Sequence, residues 1–142
     1  MDIQFRIMTT RTTILSALFL FLTMGTNAQR TFDVTIADST YHMKQYWFVL
    51  YTAGEGAALD SLTAARLQEE HLAHQDEQSK RGLIVMAGPY GKNDAGWRGL
   101  LLYDCDTQEE VEGYLNQDPF VKAGRLKFEV HPWWGSVGTK LP

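Results

Sequence analysis

Two residues in this sequence are of the types that proton transfer uses, a histidine at position 71 and an aspartate at position 118. A histidine ring exchanges a proton near neutral pH, and a carboxylate that accepts a hydrogen bond from the ring orients it and makes it a stronger base. We therefore consider His71 and Asp118 as a catalytic general acid/base pair. Both residues also have a structural interpretation, His71 as a buried histidine of the core and Asp118 as a helix cap.

His71 falls within residues 59–81, a stretch without Gly or Pro that is rich in Ala, Leu, Glu and Gln and is followed by Gly82. These features predict a helix that ends at the glycine. At about 100° per residue, the charged and uncharged residues of this helix fall on opposite arcs. The charged arc contains Arg66, Glu69, Glu70, Asp76, Glu77, Lys80 and Arg81. The opposite arc contains Ala64, Leu67, Gln68, His71, Leu72, Gln75, Gln78 and Ser79.

The uncharged arc is expected to face the rest of the protein, yet it carries His71, three glutamines and a serine. Because buried polar groups need partners, this composition favours a cavity or a hydrated cleft between the helix and a sheet. We expect His74 and Gln75, near the same face, to contact a substrate there. The alternative is that the glutamines lie at the boundary of the core and His71 is a core histidine.

Asp118 stands directly before Pro119. An aspartate at the N-cap with proline at the next position is a common way to begin a short helix, and Gly124 is placed to end it. The sequence does not show whether the Asp118 carboxylate also reaches a histidine.

A tryptophan-rich segment follows the last predicted strand, where His131 leads into Pro132-Trp133-Trp134. Adjacent tryptophans line an apolar pocket or cover a dimer seam, and we favour the packing role. His131 and Trp133 are nevertheless candidate substrate-binding residues.

Motifs for metals, cofactors and nucleophiles are weak or missing in the sequence. His71, His74, His131 and Asp118 are of metal-ligand types, but residues 71–74 lack the glutamate of the HExxH motif, and we predict no metal site. Cys105 stands between two aspartates, whose charge disfavours a thiolate. The sequence contains no GxGxxG, P-loop or GxSxG motif, and we predict no cofactor.

The remaining segments predict an alternating order of strands and helices. Apolar, β-branched and aromatic runs predict strands over 45–52, 83–87, 97–103 and 126–131. A second helix over 108–116 begins at a capping box. The order β-α-β-β-α-β is that of the α+β ferredoxin-like fold, a four-stranded antiparallel sheet with both helices on one face. The open face of such a sheet needs a cover, and we predict a second copy of the chain, as a homodimer.

Residues 1–28 have the pattern of a secretory signal peptide. Arg6 and Arg11 precede an apolar run over 14–24 with nine apolar residues in eleven, and small or neutral residues follow at Thr26-Asn-Ala28. We expect an exported protein, periplasmic or secreted, with no stable membrane span after cleavage. An uncleaved anchor is the alternative, and Met8 is a second possible start. Residues 29–43 are predicted to form a loosely ordered leader before a domain over 44–142.

The charge of the chain bears on its partners. Removal of two arginines and one aspartate with residues 1–28 leaves eleven basic and sixteen acidic residues, a formal charge of −5. An acidic chain without a basic stripe disfavours nucleic acid as a partner. The single Cys105 forms no internal disulfide, so the stability of the domain comes from packing.

Three segments together resemble the YCII-related (YciI-like) domain family: His71-Leu-Ala, Ala87-Gly-Pro89 and Asp118-Pro-Phe-Val-Lys-Ala-Gly124. The resemblance covers residues 44–133. It implies a ferredoxin-like fold that dimerises in the manner of the dimeric α/β barrels, with a site centred on a histidine and an aspartate, which are His71 and Asp118 here. One characterised branch of the family dehydrochlorinates a chlorinated hydroxyhydroquinone.

These observations lead to three hypotheses for function. The first is a cofactor-independent lyase or isomerase in which His71 and Asp118 move a proton on a small cyclic or aromatic substrate. The second is a non-catalytic module that binds a small molecule or a protein partner. The third, implied by the resemblance, is an α/β-barrel oxygenase or haem protein with a histidine ligand.

Overall fold

A computed structural model describes residues 30–139 of the chain. Within these residues there are five strands: β1 (Thr31–Ile36), β2 (Ser39–Ala53), β3 (Ile84–Pro89), β4 (Trp97–Tyr103) and β5 (Leu126–Ser136). The same residues contain three helices: α1 (Ser61–Lys80), α2 (Gln108–Leu115) and α3 (Pro119–Lys122). The predicted signal peptide over 1–28 lies outside the described residues.

The strands form one antiparallel sheet in which β2 is central. β5 pairs with β2 along one side, and on the other side β2 pairs with β4, which pairs with β3 at the edge. The order β5-β2-β4-β3, with α1 following β2 and α2 following β4, is the ferredoxin-like arrangement. The α+β fold predicted from the sequence is therefore confirmed, with a fifth strand added to the predicted four.

The fifth strand corrects the prediction of a loosely ordered leader over 29–43. Strand β1 pairs with the first part of β2 from Thr31↔Lys44 to Ile36↔Ser39, and the turn between them contains Ala37 with a positive φ of 53°. This hairpin belongs to the same compact unit as the rest of the sheet, which begins at Thr31. Apolar and polar residues alternate along β1, a pattern typical of a strand with one polar face.

The core lies between the two longer helices and one face of the sheet. Tyr51 of β2 contacts His71 of α1 edge-on, with ring centroids 6.0 Å apart, and Tyr103 of β4 stacks on Tyr114 of α2. Both helices therefore cover the same face, as the sequence predicted. The buried residues of this core are Val49, Tyr51, Ile84, Leu101, Tyr103, Cys105, Val111 and Leu115.

The other face of the sheet carries the residues that alternate with this core. Phe48 and Leu50 of β2 lie opposite His131 and Glu129 of β5 on that face. Neither α1 nor α2 packs there, and Trp133 of β5 is 46% exposed. Within residues 30–139, none of the helices has the length and apolar character that crossing a membrane requires.

Candidate functional site

The fold brings His71 and Asp118 into direct contact. The Nδ1 atom of His71 lies 2.7 Å from the Oδ2 atom of Asp118, and the exposed fractions of the two side chains are 11% and 0%. Because a carboxylate accepts hydrogen bonds and does not donate them, the proton of this bond belongs to Nδ1 of the ring. The two residues considered from the sequence are thus in hydrogen-bonding contact, and Nε2 is the ring nitrogen that does not contact Asp118.

His71 lies on helix α1, and both ends of this helix are well defined. The side chain of Asp60 caps the first turn by accepting hydrogen bonds from the backbone N–H groups of Leu62 and Thr63. The helix ends before Gly82, whose φ of 76° is in the left-handed region that favours glycine. His71 lies near the middle of the helix, where its backbone is fully hydrogen-bonded and its position is least subject to fraying.

Local backbone geometry fixes the carboxylate of Asp118. Its Oδ1 atom accepts a hydrogen bond of 2.8 Å from the backbone N–H of Phe120, and Pro119 occupies the first position of α3. Gly124, with a φ of 67°, follows the helix. The capping role predicted for Asp118 is therefore confirmed, and one carboxylate serves as cap through Oδ1 and as partner of His71 through Oδ2.

A third residue, Tyr51, completes this contact. Its hydroxyl group donates a hydrogen bond of 2.9 Å to the Oδ2 atom of Asp118, the atom that also accepts from His71. Burial and the charge of Asp118 raise the pKa of Tyr51 far above its ordinary value, so the hydroxyl keeps its proton. Tyr51 is not among the site residues predicted from the sequence, although its two-residue spacing from Val49 along a buried strand places both residues on the helix-covered face.

These bonds keep Asp118 ionised. Burial by itself raises the pKa of the carboxyl, but hydrogen bonds from His71 and Tyr51, and the positive charge of the His71 ring when it is protonated, outweigh it, with a further contribution from the Phe120 N–H. The net pKa lies below the ordinary value of an aspartate. A buried carboxylate with three donors therefore stands behind the imidazole, where it stabilises an imidazolium if the ring takes up a second proton.

Gln75 contacts the other nitrogen of the ring. Its side-chain Nε2 atom lies 2.8 Å from Nε2 of His71, one helical turn away on α1. With the ring proton on Nδ1, the amide of Gln75 donates to the unprotonated Nε2. Nε2 is therefore a hydrogen-bond acceptor, as a general base must be, and its partner is the Gln75 amide.

His71 and Gln75 line a cavity of about 570 Å³ between α1 and the sheet. This volume is in the range typical of small-molecule sites. The other lining residues are Tyr51, Gln68, Leu72, Ala87, Gly88, Pro89, Arg98, Gly99, Leu100, Leu101, Phe120, Arg125 and Leu126. The prediction that the uncharged face of α1 borders a cavity agrees with this arrangement, and the Phe120 ring lies 5.1 Å from the His71 ring between centroids.

Three of the predicted substrate-binding residues lie elsewhere. His74 contacts the backbone carbonyl of Tyr114 at 3.0 Å. It lies three positions after His71, so its side chain points in a different direction around the helix axis, towards α2. His131 and Trp133 lie on the opposite face of the sheet, because in β5 they alternate with Phe128 and Val130, which pack on the core. The structure thus brings His71, Gln75 and Asp118 together and separates the other three. His74 and His131 lie apart from His71 and Asp118, so these four residues do not form the metal site considered from the sequence.

The chain is similar to a family of known proteins and to solved structures. Residues 46–134 match the model of the YCII-related domain, which is more than half of the chain. The 5-chloro-2-hydroxyhydroquinone dehydrochlorinase of Burkholderia phenoliruptrix AC1100, solved with 2,5-dihydroxybenzoquinone, is 24% identical, with a TM-score of 0.44 over 61% of this chain and 92% of that chain. Among curated proteins, no sequence matches. The chain belongs to the YCII-related domain family.

Proposed function

We propose that this protein is a cofactor-independent enzyme of lyase or isomerase type, in which His71 moves a proton on a small cyclic or aromatic substrate. The observation that carries the proposal is that the two ring nitrogens of His71 have different surroundings. Nδ1 is held by the buried carboxylate of Asp118, whereas Nε2 faces a cavity large enough for a substituted ring. This is the arrangement in which an imidazole acts as a general base.

In the proposed reaction, the substrate displaces the Gln75 amide and presents an acidic C–H or O–H bond to Nε2 of His71. The proton moves to Nε2, and the electron pair of the broken bond either expels a leaving group or moves towards a neighbouring carbonyl. In the first case the proton on Nε2 passes to the departing group or to water, which completes an elimination. In the second case His71 returns the proton to another atom of the substrate, which completes an isomerisation. The imidazolium formed in between is stabilised by the carboxylate of Asp118, and Tyr51 holds that carboxylate in position.

The apolar part of the cavity supports a ring-shaped substrate. Phe120, Leu72 and Leu126 line the cavity close to the polar group formed by His71 and Gln75. Apolar walls with a few placed polar groups are typical of sites that bind small organic molecules.

A non-catalytic binding module is the second candidate, and the contact between Gln75 and His71 favours it. A site whose base is already satisfied by a glutamine can bind a ligand by exchanging one hydrogen bond for another, without proton transfer. The two candidates differ in one observable, the exchange of a substrate hydrogen with solvent.

We also propose the setting in which the site works. The sequence pattern of residues 1–28 supports export, to the periplasm or outside the cell. The open sheet face, on which Phe48, Leu50 and the 46% exposed Trp133 lie, supports a homodimer in which a second copy covers this face. The formal charge of −5 supports a small-molecule ligand over nucleic acid as the partner.

The experiment is a screen for hydrogen exchange in D₂O. The purified protein is incubated with hydroxylated and halogenated cyclic compounds, chlorinated hydroxyhydroquinones among them, and loss of substrate C–H signals or release of halide is followed. The wild type is expected to catalyse exchange or elimination on at least one compound, and His71→Ala is expected to abolish it while the fold is kept. His74→Gln is the matched control, because His74 lies on the same helix outside the cavity. Activity that survives His71→Ala contradicts the proposal.

A further inference from the structure

The cavity beside His71 is lined by positive charge. Its charged lining residues are Arg98 at the start of β4 and Arg125 just before β5, and within residues 30–139 no aspartate or glutamate lines it. The carboxylate of Asp118 lies behind the imidazole and is fully buried, with donors from His71, Tyr51 and the Phe120 backbone on its oxygens. Two cations in a partly closed, largely apolar space produce a potential that attracts an anion.

Arg98 is available to a ligand. Its Nη1 atom donates a hydrogen bond of 3.2 Å to the neighbouring carbonyl of Trp97, and among the described residues it forms no ion pair with a carboxylate. A guanidinium group has five N–H donors in a planar arrangement that matches a carboxylate. Within residues 30–139, most of these donors therefore have no protein partner and are open to an anion.

Arg125 has a different role. Its Nη1 atom donates to the backbone carbonyls of Gly56 and Ala57, at 2.7 and 3.2 Å, and so fixes the loop that leads into α1. Gly56 in turn lies against the backbone of Gly124, where an added Cβ would come within 3 Å. Arg125 adds positive charge to the cavity, but its replacement would also disturb this loop. Arg98 is consequently the residue through which the charge can be tested.

The sheet places Arg98 close to the proton-transfer group. Gly99, the next residue, is the register partner of Tyr51, and Tyr51 is the residue that donates to Asp118. Arg98 and His71 also line the same cavity from different sides, Arg98 from the sheet and His71 from α1. A small molecule whose anionic end is bound by Arg98 therefore extends into the space that Nε2 of His71 faces.

We infer that the cavity takes a small organic carboxylate, whose charge Arg98 binds with support from Arg125 and whose remaining part is presented to His71. This inference names the substrate class of the site and rests on the proposed function for the location of that site. It assigns Arg98 the role of determining specificity, separate from the proton transfer by His71.

The test compares benzoate with benzamide, two ring compounds of nearly the same shape that differ in charge. Their dissociation constants are measured by calorimetry and by ligand-detected NMR at low and high salt. We expect benzoate to bind at least about tenfold more tightly than benzamide, the size of one charge-assisted hydrogen bond, and to weaken as salt is added. Arg98→Gln is expected to remove the preference, and Arg98→Lys to keep part of it.

Arg66→Gln is the matched control, because Arg66 carries the same charge on the outer face of α1, where it pairs with Glu70 at 2.6 Å. It is expected to leave the preference for benzoate unchanged. Equal affinity for the two probes, or a preference that Arg98→Gln does not alter, overturns the inference. His71→Ala separates this result from the proposed function, since it is expected to abolish hydrogen exchange and to keep benzoate binding. Absence of exchange in the wild type together with a preference for benzoate that depends on Arg98 contradicts the enzyme and supports the anion site.

Discussion

The Oδ2 atom of Asp118 accepts hydrogen bonds from both the Nδ1 atom of His71, at 2.7 Å, and the hydroxyl group of Tyr51, at 2.9 Å. A single oxygen therefore joins helix α1, strand β2 and the cap of α3 at the wall of the cavity. This arrangement stabilises the fold and orients the imidazole at the same time. Changes at either partner of Asp118 should accordingly affect both stability and activity.

Replacement of Tyr51 by phenylalanine removes one of the three donors to Asp118. We expect a loss of about 1.5–3 kcal/mol in the free energy of unfolding, the contribution of a hydrogen bond to a charged group. Turnover should fall, but less than in His71→Ala, because the contact between His71 and Asp118 remains. Urea denaturation measures the first effect, with Tyr41→Phe, at an exposed tyrosine, as control. Equal stability of the two variants would show that the bond to Asp118 contributes nothing.

Much of the fold was predictable because its signals are local. The cap at Thr107, which accepts from the backbone N–H of Glu110 at 3.2 Å, and the left-handed Gly82 are set by neighbouring residues. The charge-free arc of α1 predicted which side of the helix faces the cavity. The hairpin of β1 and β2 was not predicted, although β1 alternates apolar and polar residues. A strand of six residues gives a weak pattern by itself, and its pairing with β2 is visible only in the structure.

The site itself was predictable only in part, because its contacts join distant segments. Tyr51 contributes through its hydroxyl group, and no sequence pattern shows which carboxylate that group reaches. His131 was placed at the site because it stands near the end of a strand. The alternation of apolar and polar residues over 126–131 was the overlooked signal, because Phe128 and Val130 pack on the core and His131 therefore faces the other way.

The stability of the protein should depend on pH through Asp118. Its pKa in the folded state lies below the ordinary value, so as the pH falls the unfolded chain binds a proton before the folded one. The contribution of Asp118 to the free energy of unfolding is therefore complete above its pKa in the unfolded chain, about 4. It is lost as the pH falls through the pKa of Asp118 in the folded state. The free energy of unfolding, measured from pH 7 to pH 3, should fall more steeply in the wild type than in Asp118→Asn.

The comparison of the wild type with Asp118→Asn separates the effect of Asp118 on the pH dependence of stability from the effects of other carboxylates. Glu55 and Asp60 also have lowered pKa values, through hydrogen bonds from Lys127 and Thr63, but both are present in wild type and variant alike. Parallel curves for the two proteins would mean that Asp118 makes no pH-dependent contribution.

Gln75 competes with any ligand for Nε2 of His71. In Gln75→Met the amide is lost while the length of the side chain is kept, so a substrate reaches the base without displacing a hydrogen bond. We expect KM to fall by about fivefold, corresponding to roughly 1 kcal/mol for a neutral hydrogen bond. Gln68→Met is the control, because Gln68 also lines the cavity from α1. A rise in KM for Gln75→Met alone would show that Gln75 binds the substrate and does not compete with it.

The open sheet face should be the surface through which two copies associate. Trp133 lies on this face, 46% exposed, and its ring centroid is 6.2 Å from that of Tyr46. Trp133→Glu places a charge at this surface without disturbing the core, and the molar mass measured by light scattering should fall from that of a dimer to that of a monomer. Leu62→Glu, at an 84% exposed position on α1, should remain dimeric. A monomeric wild type would contradict the homodimer.

The role of His71 as a base oriented by Asp118 is tested most directly by the position of the proton on its ring. Nitrogen-15 NMR of the purified protein at neutral pH distinguishes a protonated from an unprotonated ring nitrogen, and His71→Gln identifies the signals. We predict a protonated Nδ1, hydrogen-bonded to Asp118, and an unprotonated Nε2 that faces the cavity. A ring that carries its proton on Nε2, or that averages between both nitrogens as in free solution, would contradict the orientation of His71 by Asp118.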